Sequence, residues 1–298
     1  MCKSQISLKK FLKLLLQMAF YGLLFSFIFW LSGYSAFSVK GFIKTILPIW
    51  NIGTGFTGSY LVFYLFIPYL NLLIHAMEEK QHFLLIGLSL FVGSILQTLF
   101  RISSAFTYVG WFMVLYLIAA YVRIYPKKIF GSRKIWGLLS LVSLLLSWLS
   151  VVVGSYVYAG TNEKMYYYFV ADTHKLLAAT TGICAFLFFK NLSIKYHPLI
   201  NKVAVATFGV LLIHANSDTM RQWLWRDTLR NVEAFYSNHF VQHAICSVLL
   251  VYSVCSIIDV IRIRFLEVPF FKWYDKKMNA NRKSGIIERF RQIARKLR

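Results

Sequence analysis

Eight apolar runs, most of them near the length of a membrane span, recur along this chain and decide what it can fold into. They lie near 12–31, 56–76, 83–100, 108–125, 135–157, 170–189, 203–215 and 240–261. A spanning helix needs roughly 20 apolar residues. The seventh run is the shortest, reaching only about 20 Å as a helix at ~1.5 Å per residue. Composition points the same way: 58% of residues are apolar and 15% charged, against about 45–50% and about 25% in soluble domains. The expected fold is all-α, a polytopic transmembrane helix bundle of about eight spans. The segment 41–50 is too short to span and is expected to lie at the interface.

The net charge of +22 resembles a nucleic-acid signal, but its placement argues against one. Basic residues fall between and after the apolar runs, where they set topology and meet lipid headgroups. With a cytoplasmic N-terminus, 25 of the 33 lysines and arginines fall on inside segments and seven outside, with Lys175 within the sixth run. Both termini are then cytoplasmic, and an even number of spans is required. The division expected is a membrane domain over 1–269 and a cytoplasmic tail over 270–298. In that tail Ile286, Ile287, Phe290, Ile293 and Leu297 alternate at helical spacing with arginines and lysines, a basic amphipathic helix for anionic lipid. The four cysteines, Cys2, Cys184, Cys246 and Cys255, show no paired spacing, and three lie within apolar runs.

The densest polar group is at Thr207–Trp225, where an apolar run ends in His214 and turns hydrophilic at once. The charge distribution places that end outside. Asn216, Ser217 or Asp218 can cap a short helix reaching about Asn231, with Met220, Trp223 and Leu224 against the membrane. His214, Asn216, Asp218 and Arg221, with an aromatic wall from Trp223 or Trp225, form a group able to hold a polar, sugar-like acceptor. A second cluster, Asp172, His174 and Lys175, opens the sixth run on the same side. Asp172 and Lys175 are spaced to pair on one helical face, either as a structural ion pair or as part of a site. His239 and His243 have the i, i+4 spacing of zinc peptidases, but Phe240 stands where the catalytic Glu belongs, and no metal is expected. Asp259 and Arg262 read as a local ion pair. A multi-span protein with an outward polar site fits a transporter or flippase component for glycans or lipids as well as an enzyme. A transporter would favour internal inverted repeats, which the sequence does not display.

Four stretches carry a resemblance: GFTGSYLVFYLFIPYLNLLI (55–74), GWFMVLYLIAAYVRIYP (110–126), FLFFKNLSIKYHPLINKVAVATFGVLLIHAN (186–216) and IIDVIRIRFLE (257–267). In this order they resemble the integral-membrane acyltransferase family of type three, which acylates extracellular and cell-surface glycans. The resemblance implies transfer of an acyl group, commonly acetyl from acetyl-CoA, to a sugar hydroxyl of a polysaccharide or its precursor. It implies an acyl-CoA co-substrate and no tightly bound cofactor. The setting implied is the bacterial cytoplasmic membrane, with lipids, the glycan acceptor and the acyl-CoA donor as partners and no nucleic acid. Lys9, Lys10 and Lys13 occupy the place of the family's paired basic motif and would face the phosphates of coenzyme A, or serve only as positive-inside anchors.

Members of that family have ten spans, and the first carries a histidine about a dozen positions after a basic residue, the expected catalytic base. No such segment opens this sequence. The arithmetic of eight plus two reads it as an N-terminally truncated form, with activity dependent on those spans or on another polypeptide that supplies them. His214 is then expected to support the acceptor side and not to act as the principal base.

Overall fold

The computed structural model describes residues 7–36, 38–46, 55–102 and 107–283. Among them are helices and turns and no strand, so the fold is all-α. In chain order the helices are α1 (Leu8–Leu31), α2 (Val39–Ile46), α3 (Phe56–Ala76), α4 (Glu79–Leu99), α5 (Tyr108–Ile124) and α6 (Arg133–Val157). Then come α7 (Leu176–Lys190), α8 (Pro198–His214), α9 (Asp218–Thr228), α10 (Asn231–Phe235), α11 (Phe240–Arg262) and α12 (Val268–Lys283).

Each of the eight apolar runs contains a helix, although the sixth, expected from 170, is helical only from Leu176. Among the described residues five helices are long and apolar enough to cross a membrane, or six when α8 and α9, bent by 94°, count as one span. The others, α5 and α7, have 17 and 15 residues. α8 starts at Pro198, ahead of the apolar run itself, because proline fits the first turn where its missing N–H has no partner to lose. α11 continues through a wide turn at Ile263–Glu267 into α12, past the boundary expected near 261. The segment 41–50 begins as α2, while its residues 47–50 and the amphipathic stretch 284–298 lie outside the described residues.

The chain divides into two compact units, one of residues 1–15 and 47–195, the other of 16–46 and 196–298. In the first, α6 turns its small and polar side toward α7. Ser143 is buried, the hydroxyls of Ser147 and Thr181 are 3.2 Å apart, and Gly137 lies against the Phe188 ring. Its other face exposes Leu138, Leu141, Leu144, Leu145 and Trp148. Polar inside and apolar outside is the reverse of a soluble helix, and small residues at the contact are what close packing in lipid needs. The hydroxyl of Ser147 also returns to the Ser143 carbonyl at 2.8 Å, so it leaves no donor exposed to lipid. Between α3 and α5, Phe63, Leu70 and Ile74 pack on Tyr116, Leu117 and Ala120. Within that apolar contact Tyr116 donates to Asn71 Oδ1 at 2.6 Å, and fully buried His82 on α4 donates its Nε2–H to the Leu117 carbonyl at 3.0 Å. At one end of this group Lys127 Nζ lies 2.7 Å from Glu79, which also accepts from the Tyr121 hydroxyl at 3.0 Å.

The second unit is built around a buried charge. Asp259 on α11 is 0% exposed and accepts from Arg262 Nε at 2.7 Å, so the local pair read from the sequence is present. It is not merely local. Tyr21 of α1, itself fully buried, donates to the same Asp259 oxygen at 2.7 Å, and Gln17 Nε2 lies at 3.4 Å. Arg262 reaches Glu267 with Nη1 at 2.9 Å. In an α-helix a residue five positions on lies round the far side, but an i→i+5 turn brings it beneath its partner, and Ile263–Glu267 is such a turn. Space for the carboxylate comes from α8: a Cβ on Gly209 would stand 2.0 Å from Asp259 Cγ. One glycine thus lets α8, α11 and α1 meet at a single polar point.

Two outcomes test this centre. Gly209→Ala forces the Asp259 carboxylate away from Arg262, and the protein is expected to lose about 3–5 kcal/mol, the scale for breaking a buried pair. Gly182→Ala, where an added Cβ meets nothing within 4 Å, is the control and leaves the thermal unfolding midpoint in detergent unchanged. Arg262→Met alone strands the carboxylates and costs about 3–5 kcal/mol. Adding Asp259→Asn to it recovers about 1–2 kcal/mol, measured as the coupling energy of a double-mutant cycle.

Candidate functional site

His214 is the last residue of α8, half-buried at the point where the chain bends into α9. Its Nδ1 lies 2.7 Å from the Val210 carbonyl, one turn back. A carbonyl can only accept, so the ring proton sits on Nδ1 and Nε2 carries a lone pair. No described residue hydrogen-bonds that Nε2, and the Trp225 ring stands edge-on beside the imidazole, with centroids 6.2 Å apart. This is a histidine oriented to accept a proton or a hydrogen bond.

The turn between the helices is fixed by short-range bonds. Asn216 Nδ2 donates to the Leu212 carbonyl at 3.1 Å, satisfying an orphan acceptor at the end of α8. Of the three capping candidates in the sequence, Ser217 is the one used: its Oγ accepts from the Met220 N–H at 3.1 Å. Met220 is then buried, and the rest of α9 winds as an i→i+5 turn over Gln222–Thr228. The short helix stops there, and Arg230 takes a left-handed backbone (φ +50°) before α10. α1 and the turn after it hold α9 in place. Trp223 packs edge-on against Phe29 at 5.8 Å, and the Tyr34 hydroxyl donates to Asp227, whose other oxygen accepts from Arg226 at 2.7 Å. That carboxylate raises the Tyr34 phenol above its ordinary range.

The predicted acceptor group is therefore dispersed. Asn216 donates back to the last turn of α8, and Asp218 and Arg221 pair with each other at 2.8 Å on an exposed surface. Trp223 serves the contact with Phe29, and it is Trp225 that flanks His214. The i, i+3 spacing lets Asp218 and Arg221 bond each other at short range, while His214 Nε2 keeps an open position among the described residues.

The cluster in the first unit also differs from its expected form. Residues 172–175 are turns, α7 begins at Leu176, and no ion pair joins Asp172 to Lys175 among the described residues. Asp172 is exposed, while Lys175 Nζ donates to the Gln97 carbonyl at 3.2 Å and stands 4.2 Å above the Tyr168 ring. The last-turn carbonyls of α4 explain this. Gln97 and Thr98 also accept from the Tyr168 hydroxyl, at 3.0 and 3.2 Å, and a cation is favoured at a helix C-terminus. Half-buried His174 lies edge-on to Trp111 at 6.4 Å, and desolvation pushes its pKa down. Lys9 and Lys10 are exposed and Lys13 half-buried on the first turns of α1. His239 and His243 take Gln242 and Asn231 as partners, at 3.2 and 3.0 Å. Among the described residues no group of three or more His, Cys, Asp or Glu could hold a metal.

Sequence reasoning missed the members of the buried centre other than Asp259 and Arg262. Gln17 and Tyr21 carry the visible signal, since two polar-tipped side chains stand one turn apart in the apolar part of α1 that follows its lysines. Tyr34 and Asp227 carry none, being 193 residues apart in a loop and a short helix.

No curated protein and no solved structure matches the chain. A family model, the type-three acyltransferase domain, matches residues 4–260. That match takes in nearly all the described helices, including α8 with its terminal His214 and α11 with Asp259. The chain belongs to the acyltransferase 3 family and is a multi-pass membrane acyltransferase.

Proposed function

We propose that the chain transfers an acyl group, acetyl in the simplest case, from acyl-CoA to a hydroxyl of a cell-surface or extracellular polysaccharide or its precursor, in the bacterial cytoplasmic membrane. In the reaction the thioester C–S bond breaks, a C–O ester bond forms, and the hydroxyl proton ends on the coenzyme A thiol. The observation that carries this reading is the open Nε2 of His214. It can take the hydrogen bond of an acceptor hydroxyl and align its oxygen for attack, a positioning role. The distribution of lysines and arginines supports an outward orientation for that end of α8, where a glycan has access. Lys9, Lys10 and Lys13 open α1 on the side that the same distribution makes cytoplasmic, and their charge suits the phosphates of the donor.

Deletion of the gene is expected to reduce the O-acyl content of the surface glycan, measured by mass spectrometry, and the wild-type gene to restore it. Unchanged acyl content in the deletion strain dismisses the enzyme reading. His214→Ala is expected to restore acylation at a rate lower by about 10²-fold, at the lower end of what a positioned acid–base group contributes. Full restoration removes His214 from the site while leaving the enzyme. Replacing Lys9, Lys10 and Lys13 together by Ala is expected to raise the KM for acyl-CoA about tenfold with little change in that for the acceptor, the effect of losing about 1.4 kcal/mol of donor binding. An unaltered KM for acyl-CoA assigns the three lysines to membrane anchoring.

A further inference from the structure

A cavity of about 620 Å³ lies within the second unit, between the far end of α1, the turn into α2, and the start of α9. Five hydroxyl-bearing residues line it: Ser26, Ser35, Ser38, Ser217 and Thr219. Aromatic walls come from Phe27, Trp30 and Phe42, and the described lining contains no Lys, Arg, Asp, Glu or His. Its size falls in the ~300–1,000 Å³ range of small-ligand sites.

We propose that this cavity is the acceptor subsite and that it takes neutral sugar units of the glycan. The argument is chemical. Coenzyme A brings phosphates, which a lining without cations does not neutralise. An acyl chain would offer the O–H protons of these residues no acceptor, which is unfavourable in a water-poor site. A sugar ring meets both parts of the lining, stacking its C–H face on an indole while its hydroxyls bond to the serines and threonine. Two of the serines are prepared for this. Ser217 Oγ already accepts from the Met220 N–H at 3.1 Å, and Ser38 Oγ from the Gly41 N–H at 3.2 Å, so each keeps its O–H proton to donate. Ser217 and Thr219, which line it, come from the bend and the helix start that follow His214.

The proposal rests on the acyl-transfer reading only for the word acceptor; the binding of carbohydrate stands by itself. The test places the photo-crosslinking residue p-benzoylphenylalanine at Ser26 and at Ala36, both lining positions, in the full chain in cells that make the glycan. Leu138, 62% exposed on the outward face of α6, serves as the lipid-facing control. Irradiation followed by mass spectrometry is expected to give carbohydrate adducts at 26 and 36 and phospholipid adducts at 138. Trp30→Ala is expected to lower the carbohydrate adduct by about tenfold. Phospholipid adducts alone at 26 and 36, or no adduct there, overturn the subsite. Glycan acyl content is followed in the same cells carrying or lacking the gene. Carbohydrate adducts with acyl content indifferent to the gene retain the subsite and sink acyl transfer. Loss of acylation in the deletion strain with lipid-only adducts does the reverse.

Discussion

The buried carboxylate of Asp259 is the constraint to which the second unit is fitted. A charge with no access to water is tolerated only where partners surround it. Here an arginine, a tyrosine and a glutamine converge on one of its oxygens from two different helices. Such an arrangement demands a fixed rotation of each helix about its own axis, because a turn of 100° would take Tyr21 out of reach. Apolar packing alone permits many rotations of nearly equal energy; a polar point permits one. The polar centre therefore specifies how α1 and α11 meet, beyond whatever stability it adds. Gly209 makes it sterically feasible and the wide turn at Ile263–Glu267 completes it.

The first unit solves the same problem with neutral groups. Tyr116 and Asn71, His82 and the Leu117 carbonyl, and the serines of α6 all satisfy polar atoms by hydrogen bonds between or within apolar helices. The charged Lys127–Glu79 pair lies where side chains are about half exposed, so desolvation is slight and its contribution is correspondingly small. The two units thus differ in chemistry: dispersed neutral bonds in one, a single concentrated ionic point in the other.

Much of this was legible from the amino-acid order. Hydrophobic run length locates the apolar helices, because a membrane span must be continuous and apolar whatever it packs against, but not the polar α12 that continues from α11. The Asp259–Arg262 pair was legible because its two members are three residues apart. What escaped was long-range. Nothing local in Tyr21 or Gln17 says that they meet a residue more than 200 positions later, and nothing in Gly209 announces that a carboxylate needs its missing side chain. In the site, closeness in sequence does not fix the partners. Asp218 and Arg221, near His214 in the chain, pair with each other, as residues three apart on a helix do. Asp172 and Lys175 have the same spacing, yet Lys175 donates to a carbonyl that ends α4.

One bond has a consequence for the direction in which His214 presents its ring. The Val210 carbonyl holds Nδ1, so the imidazole is tethered to its own helix at one nitrogen and offers the other. An acceptor hydroxyl can bond Nε2 without rotation of the ring and without loss of the bond to the helix. A ring anchored at one nitrogen is a stable reference against which a reacting oxygen can be held.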